Sequence, residues 1–280
     1  MSLTVNNNIA SLIAQRNLNK NTVSLTKSIE KLSSGYRINR AADDAAGLSI
    51  SESLRGQIRG NARATSNVQD GISMLQIAEG GLTVINENLQ RMRELCIQAA
   101  NDTNGSTERT AILSEITARI DDITRIAKST KFNNIFLLDG TTASSTLQVG
   151  ANSTASTNMI SIASVLTDSQ ASTIGVTIAI AGGAWTSALI RSYIGVLDTA
   201  ITSITSRRSS VGALQGRLES TLENLAIMNE NVQASESRIR DLDIAKETAG
   251  MVKSQILQQA SATVLSQANQ IPQLALSLMR

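Results

Sequence analysis

IRSYIGVLDTAITSITSRRSSVGALQGRLESTLENLAIMNENVQASESRIRDL, residues 190–242, holds a single apolar register from end to end. Ile190, Ile194, Leu197, Ile201, Ile204, Val211, Leu214, Leu218, Leu225, Met228, Val232, Ile239 and Leu242 recur at heptad-like spacing. Only Arg208, Thr221 and Ser235 sit in register without being apolar. Such spacing lines one stripe of a helix, and at 1.5 Å per residue it predicts about 80 Å of helix. A stripe that long needs a bundle or neighbouring molecules to cover it.

Helical spacing also dominates the first half. Leu18, Leu25 and Leu32 recur every seven residues with Ile29 between them, and Ser33-Ser34-Gly35 predicts the helix end, because glycine takes the left-handed cap. A looser stretch, Tyr36 to Arg63, carries Asp43-Asp44, Gly47, Gly56 and Gly60. The next helix is read from Val68 through Leu75, Leu82, Leu89 and Cys96 to Ala99, ending in the polar turn 101–105. Another begins near Ser106, with Glu108 placed for the helix dipole, and runs through Ile112, Ile116, Ile120 and Ile123 to Ala127. Together they predict a helical hairpin.

Between Lys131 and about Ala184 the period falls to two. Leu147-Gln-Val149 and Ile160-Ser-Ile162 predict a small β-hairpin, with a further strand at 174–180. An uncharged stretch, Ser169 to Ile190, is long enough to suggest a membrane span, but its alternation and Gly182-Gly183 argue for strand and turn. No apolar core with a cleavage pattern marks residues 1–30 as a signal peptide.

Composition excludes most chemistry. The 280 residues include no histidine, one cysteine and one proline, with 2% aromatic side chains and a formal charge of +2. Without histidine there is no Ser-His-Asp or Cys-His arrangement, and one cysteine cannot form an intramolecular disulfide or a multi-cysteine metal site. Residues 1–65 carry nine Lys/Arg against four Asp/Glu, scattered as on a solvated helix surface and not clustered as a nucleic-acid patch. Cys96 lies in the apolar register and reads as packed core. Asp43-Asp44 and Asp241-Leu-Asp243 lack further ligands, so they read as helix-end residues or contacts between subunits. The Ser/Thr clusters at 141–146 and 153–157 read as flexible turns.

The last segment points to assembly. From Ser254 to Met279 there is no charged residue, while Leu257, Ala260, Val264, Ala268, Ile271, Leu274 and Leu278 share one face among five glutamines. A surface helix normally carries charge on its wet side, and amides suit a crowded protein environment where neighbours supply partners. Residues 1–26 repeat the pattern, with Arg16 and Lys20 their only charged side chains.

Several motifs resemble bacterial flagellin, the filament subunit of the flagellum: IEKLSSGYRIN at 29–39, ADDAAG at 42–47, NLQRMREL at 88–95, QVGAN at 148–152, QILQQA at 255–260 and VLSQANQIPQ at 264–273. The resemblance covers about 1–165 and 185–280. It implies a mainly α fold, a long coiled-coil-like helical bundle formed by the N- and C-terminal halves with a small β-hairpin region in the middle. In that scheme 1–42 and 240–280 are paired terminal helices of the inner filament core. Residues 43–139 and 190–239 form a helical rod domain, and 140–189 replaces the large outer domains usual in the family. The implied function is a structural subunit that polymerises into the motility filament; the alternative is the hook–filament junction protein. No enzyme, cofactor, metal, nucleic acid or membrane insertion is expected.

By the same resemblance the polymerisation core is Ile9, Leu12, Leu25, Ile29, Leu32, Leu257, Val264, Ile271, Leu274 and Leu278. Implied partners are further copies of the chain, an export chaperone at the C-terminus, and the filament cap and hook-junction proteins. A vertebrate Toll-like receptor would meet Arg91, Leu95 and Glu115. The expected location is the extracellular filament, reached by type III export without a cleaved signal peptide.

Overall fold

The structure is a computed structural model. It describes residues 7–141, 145–177 and 185–278, with side chains described through residue 270. In chain order the elements are α1 (Ile9–Ser34), α2 (Ala45–Ala99), α3 (Ser106–Ser129), β1 (Lys131–Phe132), β2 (Ile135–Phe136), β3 (Thr146–Gln148), α4 (Ala155–Asn158), β4 (Met159–Ser161), α5 (Ser187–Arg240) and α6 (Ile244–Leu278). The fold is mainly helical, as expected. Two compact units divide it: Met1–Gly56 with Asn231–Arg280, and Gln57–Glu230. The division falls inside α2 and α5, so continuous helices and not loops pass from one unit to the other.

Helix ends follow their caps. Asn8 accepts the Ser11 N–H at 3.0 Å to start α1, and Gly35 at φ 75° closes it by donating to the Lys31 carbonyl at 2.9 Å. Both acidic pairs sit at helix starts. Asp44 accepts the Gly47 N–H at 2.8 Å ahead of α2, and Asp243 accepts the Lys246 N–H at 3.0 Å ahead of α6.

The 190–242 register is therefore interrupted at its far end: α5 stops at Arg240, and Leu242 lies in the connection to α6. A capping aspartate sets that break, and apolar spacing does not register it. The looser stretch expected before Arg63 is instead regular helix from Ala45 onward. Each interior glycine costs about 1 kcal/mol relative to alanine, but packing outweighs propensity here. At Gly60 an added Cβ would stand 2.6 Å from the Ala151 Cβ, so this glycine lets α2 approach the β3–β4 connection.

The core of the Gln57–Glu230 unit is a pair of heptad stripes. Val68, Leu75, Leu82, Leu89 and Cys96 of α2 and Ile190, Leu197, Ile204, Val211, Leu218 and Leu225 of α5 are buried in one cluster, with Ile116, Ile123 and Ala127 of α3. The two long helices run antiparallel: Arg93 pairs with Asp198 at 2.6 Å, and Gln215 donates to Glu79 at 3.2 Å.

β3 and β4 pair antiparallel with Leu147 opposite Ile160, the hairpin read from the alternation. A second hairpin, β1–β2, was not anticipated. Its strands are two residues long and turn on Asn133 and Asn134 at φ 43° and 65°, the left-handed pair that a tight hairpin requires. Residues 171–175 are turn and not strand: Gly175 has φ 79°, and the Val176 N–H returns to the Ala171 carbonyl at 2.8 Å. Ile178 and Ile180, which completed the expected alternation, lie outside the described residues.

Cys96 is fully enclosed, and burial pushes its thiol up to about 12. Its thiolate, the reactive form, is therefore absent near neutrality. Native protein is expected to resist iodoacetamide at pH 8 and to label in full in denaturant, read by intact mass. Rapid labelling of the native chain would contradict the buried assignment.

Candidate assembly surface

In the unit formed by the chain ends, α1 and α6 pack antiparallel. Their seam is polar. Asn8 Nδ2 donates to the Ala268 carbonyl at 2.8 Å, and the Ser11 hydroxyl to Asn269 Oδ1 at 2.7 Å. Further along, Asn21 Nδ2 donates to Ser261 Oγ at 2.9 Å and to the Leu257 carbonyl at 3.3 Å, and Gln258 Nε2 donates to Thr22 Oγ1 at 3.0 Å. The buried residues of the pair are small: Ala14, Ser28 and Ala268.

The large apolar side chains point the other way. Ile9, Leu12, Ile29, Leu257 and Val264 are all exposed, Leu12 to 60% and Val264 to 57%. Leu25 and Leu32 are half-buried. The side chains of Ile271, Leu274 and Leu278 lie outside the described residues, although their backbone continues α6. Ile13, Val23, Val252 and Ile256 are exposed too, and sequence reasoning missed them. The signal was available in the number of apolar residues per turn, which exceeds what one face can hold. Exposed aliphatic area on this scale marks an interaction surface.

A second cluster joins the α1–α2 connection to the α5–α6 connection. The Arg37 N–H donates to the Arg240 carbonyl at 2.7 Å, and the Leu242 N–H to the Gly35 carbonyl at 3.1 Å. Arg240 lies 4.8 Å from the Tyr36 ring centroid and bonds Glu52 at 2.5 Å. That guanidinium holds the Glu52 carboxyl below its usual range. Backbone N–H groups of Arg40 and Asn39 do the same for Asp43. These residues are the IEKLSSGYRIN and ADDAAG stretches, so the most recognisable part of the N-terminal half is the part that ties its connection in place.

In the other unit, Arg91 pairs with Glu94 at 2.9 Å and with Glu115 at 3.6 Å, and Glu115 also holds Arg119 at 3.2 Å. Arg91 and Glu115 are thus brought together at the surface. Leu95 is 2% exposed and faces the core, contributing packing and not surface. Among the described residues no group of three His, Cys, Asp or Glu could hold a metal, and no helix is long and apolar enough to cross a membrane.

Comparison with known proteins places this arrangement. The bacterial flagellin N-terminal helical region matches residues 5–143, and the C-terminal helical region matches 194–279. The flagellin of Halalkalibacterium halodurans is 45% identical over 276 residues, covering 99% of each chain. That of Bacillus subtilis is 43% identical over 307 residues, again covering 99% of each. Polar flagellin A of Vibrio parahaemolyticus is 35% identical with full coverage of both chains. That alignment runs 376 positions against the 280 residues present here, so the relative carries sequence with no counterpart in this chain. With relatives named as flagellins along the whole length, the hook–filament junction alternative is not favoured. The chain belongs to the bacterial flagellin family, as a compact structural subunit that self-assembles into the flagellar filament outside the cell, and it is not an enzyme.

Proposed function

We propose that the filament is built through the α1–α6 pair, with Ile9, Leu12, Leu25, Ile29, Leu32, Leu257 and Val264 as the polymerisation core and Ile271, Leu274 and Leu278 continuing it. One observation carries this reading: small and polar groups close the seam, and large aliphatic groups are left outside it. A surface of that kind is stabilised only when other copies cover it, and a head-to-tail contact that does not close on itself yields a helical filament. Residues 1–42 and 240–280 then form the inner core, 43–139 and 190–239 the next shell, and 140–189 stands in for the outer domains.

Type III export without a cleaved signal peptide, an export chaperone on the C-terminal segment, and contacts with the cap and hook-junction proteins belong to the same reading. Any Toll-like receptor contact would rest on the exposed Arg91–Glu115 pair, with Leu95 supporting the helix from inside.

Deletion of residues 254–280 tests the core assignment. Purified full-length subunit is expected to extend filament seeds, and the truncated subunit, still helical by circular dichroism, is expected not to. Filaments of normal length and form from the truncation, seen by electron microscopy, would refute it.

A further inference from the structure

Outside the α1–α6 surface, the Gln57–Glu230 unit holds an open groove of about 370 Å³ between α2, the β3–β4 connection and α5. Its floor is apolar, made by Val149, Ile160 and Leu225, each at most 5% exposed. Its polar groups are donors seeking an acceptor. Asn61 lines the groove at 2% exposure, and its Nδ2 has no hydrogen-bond partner among the described residues. An unpaired buried amide of this kind costs about 1–3 kcal/mol. Arg217 stands on the α5 wall, makes no ion pair among the described residues, and no acidic residue lines the groove to neutralise it.

The walls are held in shape. Gln148 Nε2 donates to the Gly150 and Asn152 carbonyls, both at 2.8 Å, and the close approach of Gly60 to Ala151 fixes the connection against α2. A site formed before its ligand arrives loses little ordering entropy on binding. The rim carries Met159 and Met228, both exposed, and methionine adapts to whatever apolar surface meets it. With a rim this exposed the groove encloses too little for a free small molecule, which a binding pocket buries by 70% or more. It suits a side chain presented by a larger surface.

We propose that this groove receives an acidic side chain of a second copy of the chain, its carboxylate taken by Asn61 Nδ2 and Arg217 and its stem by the apolar floor. The proposal rests on filament assembly as read above. Copies of this subunit are the partner that assembly supplies at high local concentration, each carrying some of the chain's 23 Asp and Glu residues. The match of unneutralised donors to carboxylate acceptors gives the contact its specificity.

Two measurements on the full chain decide it. A photo-crosslinking residue at Met228 is expected to give dimers in assembled filaments and none in dilute subunit, with mass spectrometry placing the crosslink beside an Asp or Glu. Arg217→Glu is expected to raise the critical concentration for seeded elongation by at least ~10-fold, as reversal of a charge facing a carboxylate does, while the melting temperature of the free subunit stays unchanged. Asn61→Leu is the second variant, expected to weaken elongation without repelling a carboxylate. Wild-type elongation of both variants, or crosslinks confined within one chain, would overturn the groove and leave α1–α6 assembly standing. Failure of the wild-type subunit to extend seeds would overturn both.

Discussion

Val264→Asp subunits are expected to fold normally and fail to extend filament seeds. Val264 is 57% exposed on α6, on the face turned away from the seam with α1. Surface substitutions of this kind usually change subunit stability by less than about 0.5 kcal/mol. In the filament the same position lies in the proposed core, among uncharged neighbours, since residues 254–279 supply no cation to pair with a carboxylate. Burying an unpaired carboxylate costs several kcal/mol even after relaxation. A penalty of about 4 kcal/mol at each added subunit corresponds to a roughly 1,000-fold higher critical concentration. Seeded elongation followed by light scattering reads the effect, and circular dichroism of the free subunit controls for folding. Elongation at the wild-type critical concentration would show that this face of α6 stays in water.

The second large effect concerns folding and falls in the other unit. Leu82 is fully enclosed on the α2 stripe that meets α5 and α3. Leu82→Ala removes its methyl and methylene contacts and leaves a cavity that two long helices cannot readily close, a loss of about 2–5 kcal/mol. Against a total stability of about 5–15 kcal/mol, that is a large share. For a unit of this size the melting midpoint should fall by about 5–20 °C, measured by thermal circular dichroism. Leu257→Ala, on the exposed face of α6, should leave the free subunit's midpoint nearly unchanged. Equal effects of the two substitutions would contradict this division of roles. Leu95→Ala belongs with Leu82→Ala, because Leu95 is also core. A receptor assay on that variant therefore has to be set beside its melting curve.

The helices were legible where they carry their own periodicity. The α5 register was readable to within a few residues, because a stripe that must stay buried for 54 residues repeats itself many times over. The start of α2 was not. Gly47, Gly56 and Gly60 look like helix breakers along the chain, and only the proximity of Ala151 to Gly60 gives one of them a packing reason. The β1–β2 hairpin was too short for a period to show, and its one local signal was the Asn133-Asn134 pair.

The assembly surface divides along the same line. Absence of charge at both chain ends could be counted from the residues, and it already pointed to self-association. Which side chains face outward could not be counted, because an uncharged helix with apolar residues on most of its faces has no single stripe to assign. Pairing with α1 decided it: the seam took Ala14, Ser28 and Ala268 with the Asn and Gln amides, since two helices held by interlocking short polar groups leave no room for leucine or isoleucine between them. By itself, then, the sequence determined a helical, chemically inert chain with adhesive ends. Only the tertiary structure decided which faces of those ends are already used within one subunit, and which remain for the next.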